Sequence, residues 1–213
     1  MLEVITVPVT LFGQNARVLW CSGSKEGVIV DPGGDVDLIT GACDAVGIKV
    51  TAIWLTHSHL DHCAGVAALL RRYSVPLLAH PDERAFRERV PEIAGMYGLP
   101  ADEWPACPEP TRAIRGGETL SVGSASALVL FTPGHSPGHL SFYFAEDNLV
   151  VSGDALFAGS IGRTDLPGGN HGQLIESISR ELLSLPPQTR VLSGHGEDTT
   201  IGAERRGNPF LQG

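Results

Sequence analysis

Residues 56–62 read Thr56-His57-Ser58-His59-Leu60-Asp61-His62, placing three histidines and an aspartate directly after the apolar run Val50 to Leu55. No other stretch restricts the fold as much. A polar side chain buried without a partner costs about 1–3 kcal/mol, so a chain that delivers four of them from the end of a core strand needs a common use for them. Neutral imidazole nitrogens and a carboxylate oxygen are the donors that borderline and hard divalent metals prefer. The competing reading is a solvated, histidine-rich turn, and more distant residues weigh against it.

Three further apolar runs end in the same way. Ala127 to Thr132 leads into Pro133-Gly134-His135, Leu149 to Ser152 into Gly153-Asp154, and Arg190 to Ser193 into Gly194-His195. Alone, each pair is an ordinary turn. Together, in the order HxHxDH, PGH, GD and GH, they point to one shared site on strand-end loops, where a rigid scaffold commonly presents its functional residues.

The rest of the chain alternates strand and helix patterns. Leu2 to Val9, Ala16 to Cys21 and Gly27 to Val30 have strand character, and Asp35 and Gly47 bracket a helix over Val36 to Val46. Asp31 fits a turn or a brace behind the metal site equally well. Cys63 to Tyr73 has helical spacing, and Asp82 to Met96 suggests a charged surface helix entered through the turn His80-Pro81. Residues 98–117 carry four prolines and little periodicity, a long loop for Trp104 and Cys107 to anchor. Helices over Gln173 to Leu185 and Thr199 to Arg206 complete the expected elements. Both halves run strands, ligand loop and helix, which hints at an internal duplication.

At 213 residues the chain suits a single domain spanning 1–213. Acidic residues outnumber basic ones, 24 against 15, a net charge of −9 that disfavours nucleic acid. The four cysteines lack CxxC spacing and fit a reducing compartment. With no signal-like N-terminus and no run long enough to cross a bilayer, the expectation is a cytoplasmic protein with no membrane partner. Oligomeric state is not legible.

On these motifs, together with Gly159 to Gly169 and Asn208-Pro209-Phe210, the chain resembles the metallo-β-lactamase fold superfamily. Within it, the chain looks like the glyoxalase II-like hydrolases, in particular short bacterial members without a C-terminal helical domain. The resemblance implies an α/β fold, a four-layer αββα sandwich with a dinuclear site at one edge. It implies His57, His59 and His135 on one metal, Asp61, His62 and His195 on the other, and Asp154 between them. The cofactors implied are two divalent ions, zinc first, with iron and manganese as alternatives.

The activity implied is that of a glyoxalase II-type thioesterase, in which a metal-bridging hydroxide cleaves S-lactoylglutathione or a related acyl-glutathione thioester. Asp61 is expected to orient that hydroxide. His139, the second histidine of HxxxH, is expected to take part in catalysis from behind the ligands or from the substrate side. Arg163 matches a substrate-binding cation, with an ion pair to Asp165 as the alternative, and Arg205 and Arg206 offer further positive charge or simply face solvent. The main competing activity is an iron-dependent persulfide dioxygenase with nearly the same motifs, followed by a lactonase or esterase, and then a metal-binding protein without turnover. The cysteine-ligand type of β-lactamase carries Cys where this chain has Asp154, which argues against that activity. The acidic charge argues against a tRNA-processing nuclease.

Overall fold

The structure is a computed structural model describing residues 1–212. It contains two compact units, one formed by residues 1–114 with 122–124, the other by 115–121 with the chain from 125 onward.

In the first unit, six strands run in the order β1-β2-β3-β4-β5-β6. They are β1 Leu2–Val9, β2 Gln14–Cys21, β3 Glu26–Val30, β4 Lys49–Trp54, β5 Leu77–Ala79 and β6 Arg112–Ala113. β1, β2 and β3 form an antiparallel meander, after which β3, β4, β5 and β6 pair in parallel. The change of direction has a simple cause: α1, Val36–Val46, occupies the connection from β3 to β4, and a crossover of that length is what parallel pairing requires. Every residue of β2 is buried, Gln14 and Arg17 included. Because β3 and β4 are parallel they finish at the same edge, and there the Asp31 amide donates to the Trp54 carbonyl at 3.0 Å. That shared edge puts Asp31 beside the histidine-rich stretch.

Some local expectations change. Gly47 stops α1 in the left-handed region at φ 71°, as expected, but Asp35 does not cap it through its side chain. Its carboxylate accepts the Thr10 amide at 2.6 Å instead, tying the β1–β2 turn to the start of α1. The helix expected over 63–73 divides into α2, Leu60–Cys63, and α3, Val66–Arg72, so Asp61 and His62 lie in a helical turn. The expected surface helix over 82–96 is a 3-10 turn, Pro81–Glu83, then α4, Arg84–Glu88, and α5, Val90–Met96. Pro91 has no N–H to continue the ladder, which accounts for the break. This segment also buries two charged residues, Glu83 and Arg87. Trp104 and Cys107 are buried within the 98–117 loop, as expected of anchors, and the loop contributes β6 to the sheet.

The second unit has the strand order β14-β13-β10-β9-β8-β7. Its strands are β7 Thr119–Val122, β8 Ala125–Phe131, β9 Leu140–Phe144, β10 Leu149–Gly153, β13 Arg190–Ser193 and β14 Thr199–Thr200, while β11, Leu156–Phe157, and β12, Ser160–Ile161, form a separate two-stranded ribbon. β8, β9 and β10 are antiparallel neighbours, and β13 lies parallel to β10. The connection between those parallel strands contains α6, His171–Ser177, which continues as a π-helical turn, Ile178–Leu182. α7, Ile201–Gly207, follows β14. Leu130, Val150, Leu156, Leu174, Ile178 and Ile201 share one buried apolar cluster here. Arg205 spends its guanidinium on the Leu183 and Leu185 carbonyls, where the π turn leaves acceptors open. Among the described residues no helix is long and apolar enough to cross a membrane.

Candidate functional site

In the first unit the histidine-rich stretch leaves β4 and is held from behind by Asp31. One Asp31 oxygen accepts the Thr56 amide at 2.7 Å. The other accepts the Thr56 hydroxyl at 2.5 Å and lies 3.0 Å from His62 Nδ1. The same Thr56 hydroxyl sits 3.0 Å from His57 Nδ1. With its hydrogen given to Asp31, that oxygen can only accept from His57. A carboxylate likewise only accepts. Both imidazoles therefore carry their proton on Nδ1 and present the Nε2 lone pair, the tautomer a metal ligand needs. Asp31 is thus both a turn residue, at φ 53°, and a brace. Asp31, His57 and His62 each bring a ligand-type atom within 4.8 Å of the others.

His59 meets His57 edge-on at 4.7 Å and Phe86 at 5.1 Å between ring centroids. His62 Nε2 is 3.9 Å from Asp61 Oδ2. Two supports carry no sequence signal. The buried Glu83 accepts the Ser58 amide at 2.8 Å, fixing the backbone between His57 and His59. Gly33 lies so close to the Asp61 carbonyl that a Cβ there would stand 1.6 Å from its oxygen. His80 is a turn residue, its Nδ1 accepting the Asp82 amide at the head of the 3-10 turn.

In the second unit Asp154 Oδ2 lies between two histidines, 3.7 Å from His135 Nε2 and 3.5 Å from His195 Nε2. A single carboxylate oxygen is thus flanked by two imidazole nitrogens, donor types that suit a metal ion. His135 Nδ1 donates to the Arg163 carbonyl at 2.8 Å, which again leaves Nε2 as the donor atom for a ligand. Its loop is gripped by α6, because the Asn170 amide donates to the Gly134 carbonyl and the Ser177 hydroxyl to the Pro133 carbonyl. Gly134, at φ 131°, has no room for a Cβ against Leu174.

His139 is fully buried behind Asp154, where its Nε2 accepts the Asp154 amide at 3.1 Å and its Nδ1 meets Thr132 Oγ1 at 2.8 Å. The Arg163 guanidinium makes a two-pronged bond to Asp165, both contacts at 2.8 Å, and both residues are exposed. That guanidinium holds the Asp165 carboxyl down at about 2.

The donor set of each unit, imidazole nitrogens with carboxylates at their side, is suited to binding metal ions. The sequence matches the description of the metallo-beta-lactamase superfamily over residues 9–195. The hydroxyacylglutathione hydrolase GloC of Haemophilus influenzae is 35% identical over 217 aligned residues, covering 99% of this chain and 98% of that protein. A probable metallo-hydrolase of Bacillus subtilis, YqgX, is 41% identical over 186 residues, 87% of each chain. Among solved structures, the BLEG-1 B3 metallo-beta-lactamase is 38% identical with a TM-score of 0.91 over 100% of both chains. A di-iron-bound form of TTHA1623 is 40% identical with a TM-score of 0.88, covering 98% of this chain and 100% of that one. The fold class expected from the sequence is the one these structures share.

Proposed function

The chain belongs to the metallo-β-lactamase superfamily, a family of metallo-hydrolases, and from that premise we propose that it is a glyoxalase II-type thioesterase acting on acyl-glutathione thioesters. The observation that carries this reading is the end-to-end match to a hydroxyacylglutathione hydrolase. In the proposal the two units act as one domain on two divalent ions. His57, His59 and His135 would hold the first ion, Asp61, His62 and His195 the second, and Asp154 would face both. Bound ions of this kind lower the pKa of water from 15.7 toward about 7 and polarise a carbonyl.

The chain's own residues do the remainder. Asp31 and Thr56 keep His57 and His62 in the ligand tautomer. Asp61 orients the attacking water. His139 sets the backbone of Asp154 from behind, as a positioning residue. Water adds to the thioester carbonyl carbon, the C–S bond breaks, and the glutathione thiolate leaves and takes up a proton. Arg163 receives a glutathione carboxylate by exchanging it for Asp165, a cheap exchange because an exposed ion pair contributes only about 0–1 kcal/mol.

Two observations favour a second reading each. The match to a structure titled as a B3 metallo-beta-lactamase favours opening of a cyclic amide, and the di-iron-bound relative favours iron as the resident metal, which keeps the iron-dependent persulfide oxidation in the test. One experiment separates them: metal content measured on the same sample that is offered S-lactoylglutathione, a chromogenic cephalosporin and glutathione persulfide. Thioester hydrolysis at rates well above the other two is expected. Oxygen uptake on the persulfide with one tightly held iron per chain, or cephalosporin opening alone, would overturn the thioesterase reading.

A further inference from the structure

We infer that Glu204 and Asn208 are positioning residues that hold the His195 side of the proposed metal centre, acting through the ribbon of residues 155–163; this rests on the metal reading above. Both lie beyond the segment that matches the family description, residues 9–195. Glu204 is 4% exposed and Asn208 is fully buried. A carboxylate is kept in such a place only when its lone pairs are used, and these are. Glu204 Oε2 accepts the Gly159 amide and Asn208 Nδ2, each at 2.8 Å, while Oε1 accepts the Thr199 hydroxyl at 2.6 Å. Asn208 Nδ2 also donates to the Ser160 carbonyl at 2.9 Å. The pair therefore clamps two things at once, the tip of the β11–β12 ribbon and the loop that follows His195.

That ribbon touches all three candidate ligands of the second unit. Phe157 meets the His195 ring edge-on, with centroids 6.3 Å apart and planes at 82°. Gly162 is pressed against Asp154 and His135, where a Cβ would stand 1.9 Å from the Asp154 carbonyl oxygen and 3.1 Å from His135 Nδ1. The Arg163 carbonyl takes the His135 proton. His195 depends most on this support, because its side chain is 29% exposed against 3% for His135. The ribbon packs Phe157 against one side of the ring, and that ribbon is held from α7 through Glu204 and Asn208.

A clamp of this kind could merely glue the C-terminal helix to the body, and the test separates that role from positioning. The Glu204→Gln and Asn208→Ser variants, each loaded with zinc or cobalt(II), are compared with the wild-type chain in three ways: chelator competition, melting of metal-free and metal-loaded protein, and the visible absorption of the cobalt form. Positioning predicts metal affinity about tenfold weaker or more, a larger loss of melting temperature in the loaded than in the metal-free protein, and an altered cobalt band. Equal losses of melting temperature in both forms, with unchanged affinity and spectrum, would overturn it. Should Glu204→Gln fail to fold, Asn208→Ser, which removes two donated bonds and no charge, is read in the same way. A wild-type chain that binds metal yet hydrolyses no thioester would refute the thioesterase reading and leave this one intact.

Discussion

Replacement of Asp31 by Asn separates metal affinity from stability. Asp31→Ala is the blunter change, because it leaves Thr56 N–H, Thr56 O–H and His62 Nδ1–H buried without their acceptor. At about 1–3 kcal/mol for each such group, the total approaches the whole stability of a typical domain, about 5–15 kcal/mol. Asn keeps the shape, tolerates the left-handed backbone at φ 53°, and retains Oδ1 for the Thr56 amide. Its amide nitrogen replaces Oδ2. The Thr56 hydroxyl can turn round and accept from it, but His62 Nδ1 now faces a donor and does best as an acceptor. The imidazole proton then moves to Nε2, the atom the proposal gives to the metal. Recovering the ligand tautomer costs one charge-assisted hydrogen bond, about 1.5–3 kcal/mol, or on the order of 10- to 100-fold in metal affinity. Zinc competition against a chelator, beside melting of the metal-free protein, reads this directly. The expected result is weakened affinity with a metal-free melting temperature close to wild type. An Asp31→Asn protein that holds zinc as tightly as wild type would refute the tautomer argument.

Gly33→Ala places a methyl 1.6 Å from the Asp61 carbonyl oxygen; it should cost about 1–3 kcal/mol or more as overpacking and suppress hydrolysis, while full activity would show that the loop yields. Arg163→Ala should leave the melting temperature nearly unchanged, since the pair it breaks is exposed, but raise KM for glutathione thioesters; an unchanged KM would remove Arg163 from substrate binding. The Asp165 carboxyl is depressed from 3.8 to about 2, its Arg163 hydrogen bond first among the causes. Its contribution to stability is therefore present above about pH 4 and fades between 4 and 2, and a melting profile over that range identical in Asp165→Asn would contradict this. Cys21 is held at about 6 by the Ser124 hydroxyl and nearby backbone amides, whereas burial lifts Cys43 to about 11. Iodoacetamide at pH 7 should therefore modify Cys21 first, and even labelling of the two in peptide mapping would count against it.

The candidate ligands were legible in the sequence because each follows an apolar strand with little in between, so strand pattern and ligand position are read together. What braces them was less visible. Asp31 could be named but not decided, since a turn and a brace leave the same Asp-Pro-Gly signature and only the parallel pairing of β3 with β4 makes it serve both. Glu83 falls in the stretch read as a charged surface helix and Glu204 in the expected C-terminal helix, and no motif singles out either one. Both are buried acceptors, and nothing local distinguishes a glutamate facing water from one facing a backbone amide 25 or 45 positions away. Arg163 and Asp165 are close enough in sequence for their ion pair to be anticipated. Element ends shifted where a proline or a π turn intervened, as at Pro91 and Ile178–Leu182.

The hint of internal duplication gains physical content from the topology of each unit taken by itself. A three-stranded antiparallel meander, β1-β2-β3, is followed by α1 and the parallel strand β4. In the other unit β8-β9-β10 is followed by α6 and the parallel strand β13. The third meander strand ends at a left-handed residue both times, Asp31 at φ 53° and Gly153 at φ 51°, and a carboxylate stands at or one residue past that point. The crossover strand then ends in a loop bearing histidine both times, His57 and His195. A parallel pair finishes at one edge, so in either unit the carboxylate and the histidine loop must meet there. The two carboxylates have been put to different use by a shift of a single residue. Asp31 itself occupies the left-handed position and accepts from Thr56 and His62 behind the ligands, whereas in the second unit glycine takes that position and Asp154 follows it, between His135 and His195.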